Sequence, residues 1–137
     1  MQARLGVLAL DHGTKRTGFA AADPLRIAVR PLGSVATALV RERVESLLSE
    51  RDVSTLLVGL PRNVDGSEGP RAGEVRAFAG RLAAWFPALE VVLWDEVLST
   101  KAAEDLMREE GSAGSADRDA WSALVVLRDW LASGEPR

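Results

Sequence analysis

At 137 residues, with 47% hydrophobic and 27% charged side chains, the chain has the size and balance of one globular domain able to bury a core. It has no cysteine, which excludes disulfides and thiolate metal sites and fits a reducing cytoplasm. A net charge of -3 argues against coating nucleic acid by bulk electrostatics, and no apolar run approaches the roughly 20 residues that a membrane helix needs. The charge is uneven, however. Residues 1–43 are basic on balance, through Arg4, Lys15, Arg16, Arg26, Arg30, Arg41 and Arg43, while the stretch from Glu90 to Glu110 is acidic. A basic arm beside an acidic cluster suits a polyanion held next to metal ions; scattered solubilising charge is the plainer alternative.

The N-terminus "MQARLGVLALDHG" starts basic and turns apolar, but Asp11 and His12 interrupt it too early for a signal peptide. "RLGVLALD" (4–11) instead reads as a strand buried on both faces. After "HGTKR", "TGFAAAD" (17–23) reads as a second strand. "RIAVRPLGSV" (26–35) reads as a third, with Pro31 favouring an edge or a bulge. "ATALVRERVESLLSE" (36–50) carries Leu39, Val40, Val44, Leu47 and Leu48 on one helical stripe. "STLLVG" (54–59) is a short apolar strand that stops at "LPRNVDGSEGPR", a loop rich in proline, glycine, asparagine and aspartate. From about Gly69 to Phe86, the spacing of Val75, Phe78, Ala79, Leu82, Ala83 and Phe86 predicts a helix. "EVVLW" (90–94) is a buried strand ending in Asp95 and Glu96. "STKAAEDLMREE" (99–110) reads as a helix, "GSAGSAD" (111–117) as a connection and "DAWSALVVLRDWL" (119–131) as the last helix. The order βββαβαβαα, within one domain over residues 1–137, predicts an α/β fold. Its five-stranded mixed sheet is a three-stranded antiparallel meander followed by parallel strands, flanked by helices.

In such sheets ligands bind off the carboxyl ends of the parallel strands. Asp11 ends the first strand and Asp95-Glu96 the last, so both arrive at one rim, where the loop after residue 59 also leaves. At about 100° per residue, Asp119 lies on the same side of its helix as Ala123, Val126, Leu127, Trp130 and Leu131, whereas Ser122 and Arg128 fall outside that arc. Its place in the first turn also meets the positive end of the helix dipole; Asp117 suits a cap. Carboxylates meeting at a rim call for a cation, and oxygen ligands favour Mg²⁺ or Mn²⁺. Two such ions about 3.5–4 Å apart can activate a water and stabilise the leaving oxygen of a phosphodiester. Taken singly, Asp11 could be a turn residue, Glu96 a surface charge and Asp119 a cap. Asp11-x-Gly13-Thr14 with Gly18 also fits the phosphate hairpin of sugar kinases and actin-like ATPases, where Lys15 would offer charge. Those enzymes hold nucleotide between two such domains, for which this chain is too short.

The blocks "LALDHGTKRTGFA", "LLVGLPRNVDGSEGPRAGEVRAFAGRL", "VVLWDEVLSTKAAEDLM" and "DRDAWSALVVLRDWL" run nearly end to end. Through them the chain resembles the YqgF family of RuvX-type proteins, described both as Holliday-junction resolvases and as pre-16S rRNA nucleases. The resemblance implies an RNase H-like fold and a metal-dependent endonuclease acting on structured nucleic acid, a precursor ribosomal RNA or a four-way DNA junction. It implies Asp11, Glu96 and Asp119 as ligands of two Mg²⁺ or Mn²⁺ ions, with Lys15 beside the scissile phosphate. Lys15, Arg16, Arg62, Asn63 and Arg71 would contact the substrate. It also implies a cytoplasmic protein, and a homodimer for resolvase-like action. His12 stands where the family has an aromatic or aliphatic residue; in a strand it should point away from Asp11 and pack. Val97 stands where the family has a basic residue, removing a contact to phosphate or to Glu96. Of the tryptophans, Trp85, Trp94 and Trp130 read as core or interface rather than base-stacking platforms. Trp121, outside the apolar arc of its helix, reads as a dimer contact. The rival of another class is a non-catalytic RNA-binding or assembly factor on the same fold.

Overall fold

A computed structural model of the chain describes residues 5–63, 65–96, 108 and 117–133. Its elements are β1 (Gly6–His12), β2 (Arg16–Ala22), β3 (Val29–Ala36), a 3-10 turn (Thr37–Leu39), α1 (Val40–Glu50), β4 (Val53–Pro61), α2 (Pro70–Trp85), β5 (Glu90–Glu96) and α3 (Arg118–Ala132). The helix expected over 99–110 lies, but for Arg108, outside the described residues, and so does Val97. The five strands form one mixed sheet in the order β3-β2-β1-β4-β5, with β1, β2 and β3 antiparallel and β1, β4 and β5 parallel. No helix among the described residues is long and apolar enough to cross a membrane.

The apolar run of β1 is explained by its central place. Val7, Leu8, Ala9 and Leu10 are all fully buried, because helices cover both faces of the sheet. Leu8 and Leu10 join Phe19, Leu56, Val58, the α1 residues Val40, Val44 and Leu47, and the α2 residues Val75, Phe78 and Leu82 in one core. Val7 and Ala9 face the other way, joining Ala20, Leu57 and the α3 residues Ala123, Leu124, Val126, Leu127 and Trp130. Period-two alternation therefore sends Asp11 toward α3 and His12 toward α2.

Several local expectations shift. Residues 23–28 form a turn rather than the start of β3. The Asp23 carboxylate accepts from the amides of Ile27 and Ala28, both at 2.9 Å, and Arg26 sits at φ 62. Leu39 lies in the 3-10 turn before α1 and is exposed, and Ala83 on α2 faces solvent while Ala72 is buried. β3 is an edge strand with an irregular register. Phe19 pairs with Gly33 (φ +90) and Ala20 with Pro31, leaving Leu32 as the extra residue of a bulge. Trp121 is only 8% exposed and belongs to the core, so it does not present a free surface for a dimer contact. The reason is geometric: α3 packs across β1, β2 and β3, which buries a wider arc than a helix resting on one ridge.

Gly18 is what admits α3. It pairs with Asp11 across β1 and β2, and a Cβ on it would run into the backbone carbonyl of Asp119. Gly18→Ala is therefore expected to lose about 3 kcal/mol or more by forcing the first turn of α3 off the sheet. Gly80 on α2 has open space where a Cβ would go. Gly80→Ala should gain roughly 0.5–1 kcal/mol. Urea unfolding of both variants checks the pair; equal effects would contradict this packing.

Candidate active site

Off the carboxyl ends of β1, β4 and β5 lies a cleft of about 300 Å³. Asp11, His12 and Gly13 line it from β1 and the residue after it, Gly59, Pro61 and Arg62 from β4 and the residue after it, and Glu96 from β5. Arg71 lines it from the first turn of α2, and Arg118, Asp119 and Ser122 from the first turn and a half of α3.

Each carboxylate arrives by a different device. Asp11 is carried by strand alternation on β1. Asp119 is carried by α3, which starts where Asp117 caps it by accepting from the Ala120 amide at 3.1 Å. The close approach of its main chain to Gly18 then sets Asp119 beside Asp11. Glu96 is carried by the parallel pairing of Pro61 with Glu96 at the ends of β4 and β5.

The electrostatics follow from this crowding. Burial first, then the negative charge of Asp119, pushes the Asp11 carboxyl up from 3.8 to about 6; Arg71 opposes the rise and Glu96 adds to it. Asp119 is raised by its own burial and by Asp117, with Arg16 opposing. Arg71 reaches the rim because its Nη2 donates to the His12 carbonyl at 2.7 Å. The His12 ring turns to the opposite face, stacked on Phe78 at 4.3 Å and 6% exposed. Burial, and then the positive charges of Arg71 and Arg81, lower its pKa, with Glu74 opposing.

The other expected site residues sit elsewhere. Lys15 is exposed in the β1–β2 turn and does not line the cleft. That turn is tied to the residues following β3. Thr37 donates its amide to the Lys15 carbonyl at 2.9 Å and its hydroxyl to the Gly13 carbonyl at 2.6 Å. Arg16 lies outside the cleft, with Nη2 on the Ser34 hydroxyl at 2.9 Å. Asn63 donates to the Ser67 hydroxyl at 3.0 Å and lines a smaller hollow of about 190 Å³ with Arg62, Pro70 and Arg71. Ser122, which the helical arc left out, and Arg118, which the sequence reading did not single out, do line the cleft. Ser122 stands three residues after Asp119, a spacing that shares one helix face and would have found it.

Among the described residues no group of three or more His, Cys, Asp or Glu side chains is arranged to hold a metal ion. The donor set still fits Mg²⁺ or Mn²⁺, because such ions are commonly bound by one or two carboxylates completed by water and substrate phosphate. Asp11, beside Asp119 and Glu96, is the residue that would hold such an ion.

The model of the family described as "RuvX: Holliday junction resolvase" matches residues 6–133. A Pelotomaculum thermopropionicum protein provisionally named a pre-16S rRNA nuclease is 39% identical, over 96% of this chain and 90% of its own length. One from an Anaeromyxobacter species, with the same name, is 44% identical over 90% of this chain and 94% of its own. Among solved structures, Thermus thermophilus RuvC in complex with a Holliday junction substrate superposes with a TM-score of 0.55 at 15% identity. The match spans 96% of this chain and 97% of that one, and establishes a common RNase H-like fold.

The raised pKa of Asp11 has a stability consequence. The folded protein holds the proton more tightly than the unfolded chain, so stability is lost as pH climbs from about 4 through about 6. Without divalent metal, Asp11→Asn is expected to be more stable than wild type at pH 7, by up to about 3 kcal/mol, and to show no such gain at pH 3.5. Thermal unfolding in chelator at both pH values checks this. A variant no more stable than wild type at pH 7 would contradict it. The chain belongs to the RuvX family.

Proposed function

We propose that the protein is a divalent-metal-dependent endonuclease that hydrolyses phosphodiester bonds in structured nucleic acid. The observation that carries this reading is the meeting of Asp11, Glu96 and Asp119 in one cleft that also holds Arg71. The names of its relatives and the junction bound to its structural neighbour support a nucleic-acid substrate, either a pre-16S rRNA processed at its 5′ end or a four-way DNA junction.

Asp11, Glu96 and Asp119 would hold the two Mg²⁺ or Mn²⁺ ions. When bound, such ions supply an activated water and stabilise the charge on the attacking and leaving oxygens. Arg71, placed opposite Asp11, offers a guanidinium to a phosphate entering the cleft. Lys15 and Arg16, on the exposed hairpin turn, would meet phosphates flanking it. Hydrolysis would leave 5′-phosphate and 3′-hydroxyl ends. A cytoplasmic location, and a homodimer where paired cuts are made, complete the proposal.

The test is cleavage of an end-labelled structured RNA and of a labelled four-way junction, each with Mg²⁺ and with Mn²⁺. Wild type is expected to cut at least one of them. Asp11→Asn should be slower by at least about 100-fold, since even outer partners of metal ligands cost 10–100-fold. Equal cleavage by both proteins would show a contaminant and remove the catalytic claim. Binding of RNA without cleavage would favour an assembly factor.

A further inference from the structure

We propose that Arg62 is a positioning residue that fixes the end of β5, and with it Glu96, instead of a contact to the substrate phosphates. The inference rests on the nuclease reading and deepens it. Among the described residues β5 is an edge strand that pairs with β4 alone, so one strand neighbour fixes the end that carries Glu96. Arg62, the residue after β4, closes that end twice over. Its amide donates to the Glu96 carbonyl at 3.2 Å, and its Nε donates to Asp95 Oδ1 at 2.9 Å. Neighbouring strand residues point to opposite faces, so gripping Asp95 leaves Glu96 turned the other way, to the cleft.

The guanidinium is anchored behind as well as in front. Nη1 lies 3.1 Å from Glu68 Oε2 and donates to the Gly66 carbonyl at 3.3 Å. Glu68 is itself held by a two-pronged pair with Arg76 of α2, at 2.9 and 2.6 Å. A chain of charges thus runs from α2 through Arg76, Glu68 and Arg62 to Asp95 on β5. Arg62 already faces two carboxylates, and its side chain is 26% exposed. A phosphate would meet a guanidinium whose Nε and Nη1 are already engaged and whose charge two carboxylates already balance. Arg71 differs: it makes no salt bridge among the described residues, donates to a neutral carbonyl and faces Asp11. The two arginines of one cleft therefore divide the work, Arg71 toward substrate and Arg62 toward the protein.

The experiment compares Arg62→Ala, Arg62→Lys, Asp95→Asn, the Arg62→Ala/Asp95→Asn pair and Arg71→Ala in the full chain. Junction and RNA affinity are measured in chelator across a salt series. Mn²⁺ binding is measured by calorimetry, kcat and KM in Mn²⁺, and hydrogen exchange at the Arg62 amide. Arg62→Ala and Asp95→Asn are each expected to lower kcat and Mn²⁺ affinity by about tenfold to 100-fold, with KM and salt slope unchanged. The double variant should be no worse than either single one, and Arg62→Lys should recover part of the loss. In Asp95→Asn the Arg62 amide should exchange faster. Arg71→Ala should raise KM and reduce the salt slope by about one. The proposal is overturned if Arg62→Ala reduces the salt slope by about one and raises KM while Mn²⁺ affinity holds, or if the double variant is additive. Unchanged exchange in Asp95→Asn would also overturn it. If exchange responds but wild type neither binds Mn²⁺ nor cuts, the nuclease reading fails and the strap on β5 stands.

Discussion

Asp11, the last residue but one of β1, follows four fully buried residues from Val7 and shares its cleft with two more carboxylates. Placing a carboxylate in such surroundings disfavours its charged form, and Asp119 and Glu96 deepen the penalty. Arg71 offsets only part of it, since the carboxyl remains raised to about 6. A protein selected for stability alone would put an uncharged residue there. The divalent ion of the proposed mechanism would bring the opposite charge that favours the ionised carboxylates in this cleft.

The rest of the fold can be read as the means of holding three repelling groups at one rim. β1 is the central strand, its residues Val7 to Leu10 fully buried. α3 is admitted by a missing side chain at Gly18, so that the main chain of Asp119 rests on the strand opposite Asp11. Asp119 stands in the first turn of that helix, where the N-terminal end of the macrodipole eases its charge. β5 is an edge strand, and its tip is tied back by the residue that follows β4. Each device comes from a different part of the chain, so no single element could drift without moving one carboxylate away from the other two.

Much of this was legible in the sequence because it depends on local periodicity and on strand ends. The buried run before Asp11, the alternation that separates Asp11 from His12, and the parallel strands that bring residues 11 and 96 to one rim all follow from short-range pattern. The core-facing side of Asp119 followed from helical spacing. What was not legible depends on distant partners. The direction of the Lys15 turn is set by Thr37, which bonds Gly13 and Lys15 from beyond β3. The burial of Trp121 and Ser122 depends on α3 spanning three strands, whereas the arc drawn for them supposes a single line of contact. Residues 26–28 alternate like a strand, yet the carboxylate of Asp23 captures two of their amides first. Gly18, read beside Gly13 as room for a phosphate, makes room for a helix.

The most direct measurement is the titration of the Asp11 side-chain carboxyl carbon by NMR, in labelled protein, with chelator and then with saturating Mg²⁺. In chelator the carboxyl should titrate near its raised value of about 6. With Mg²⁺ the midpoint should fall below the ordinary aspartate range, because the cation favours the charged form. An Asp11 midpoint that Mg²⁺ leaves unmoved would contradict a metal site built on this residue.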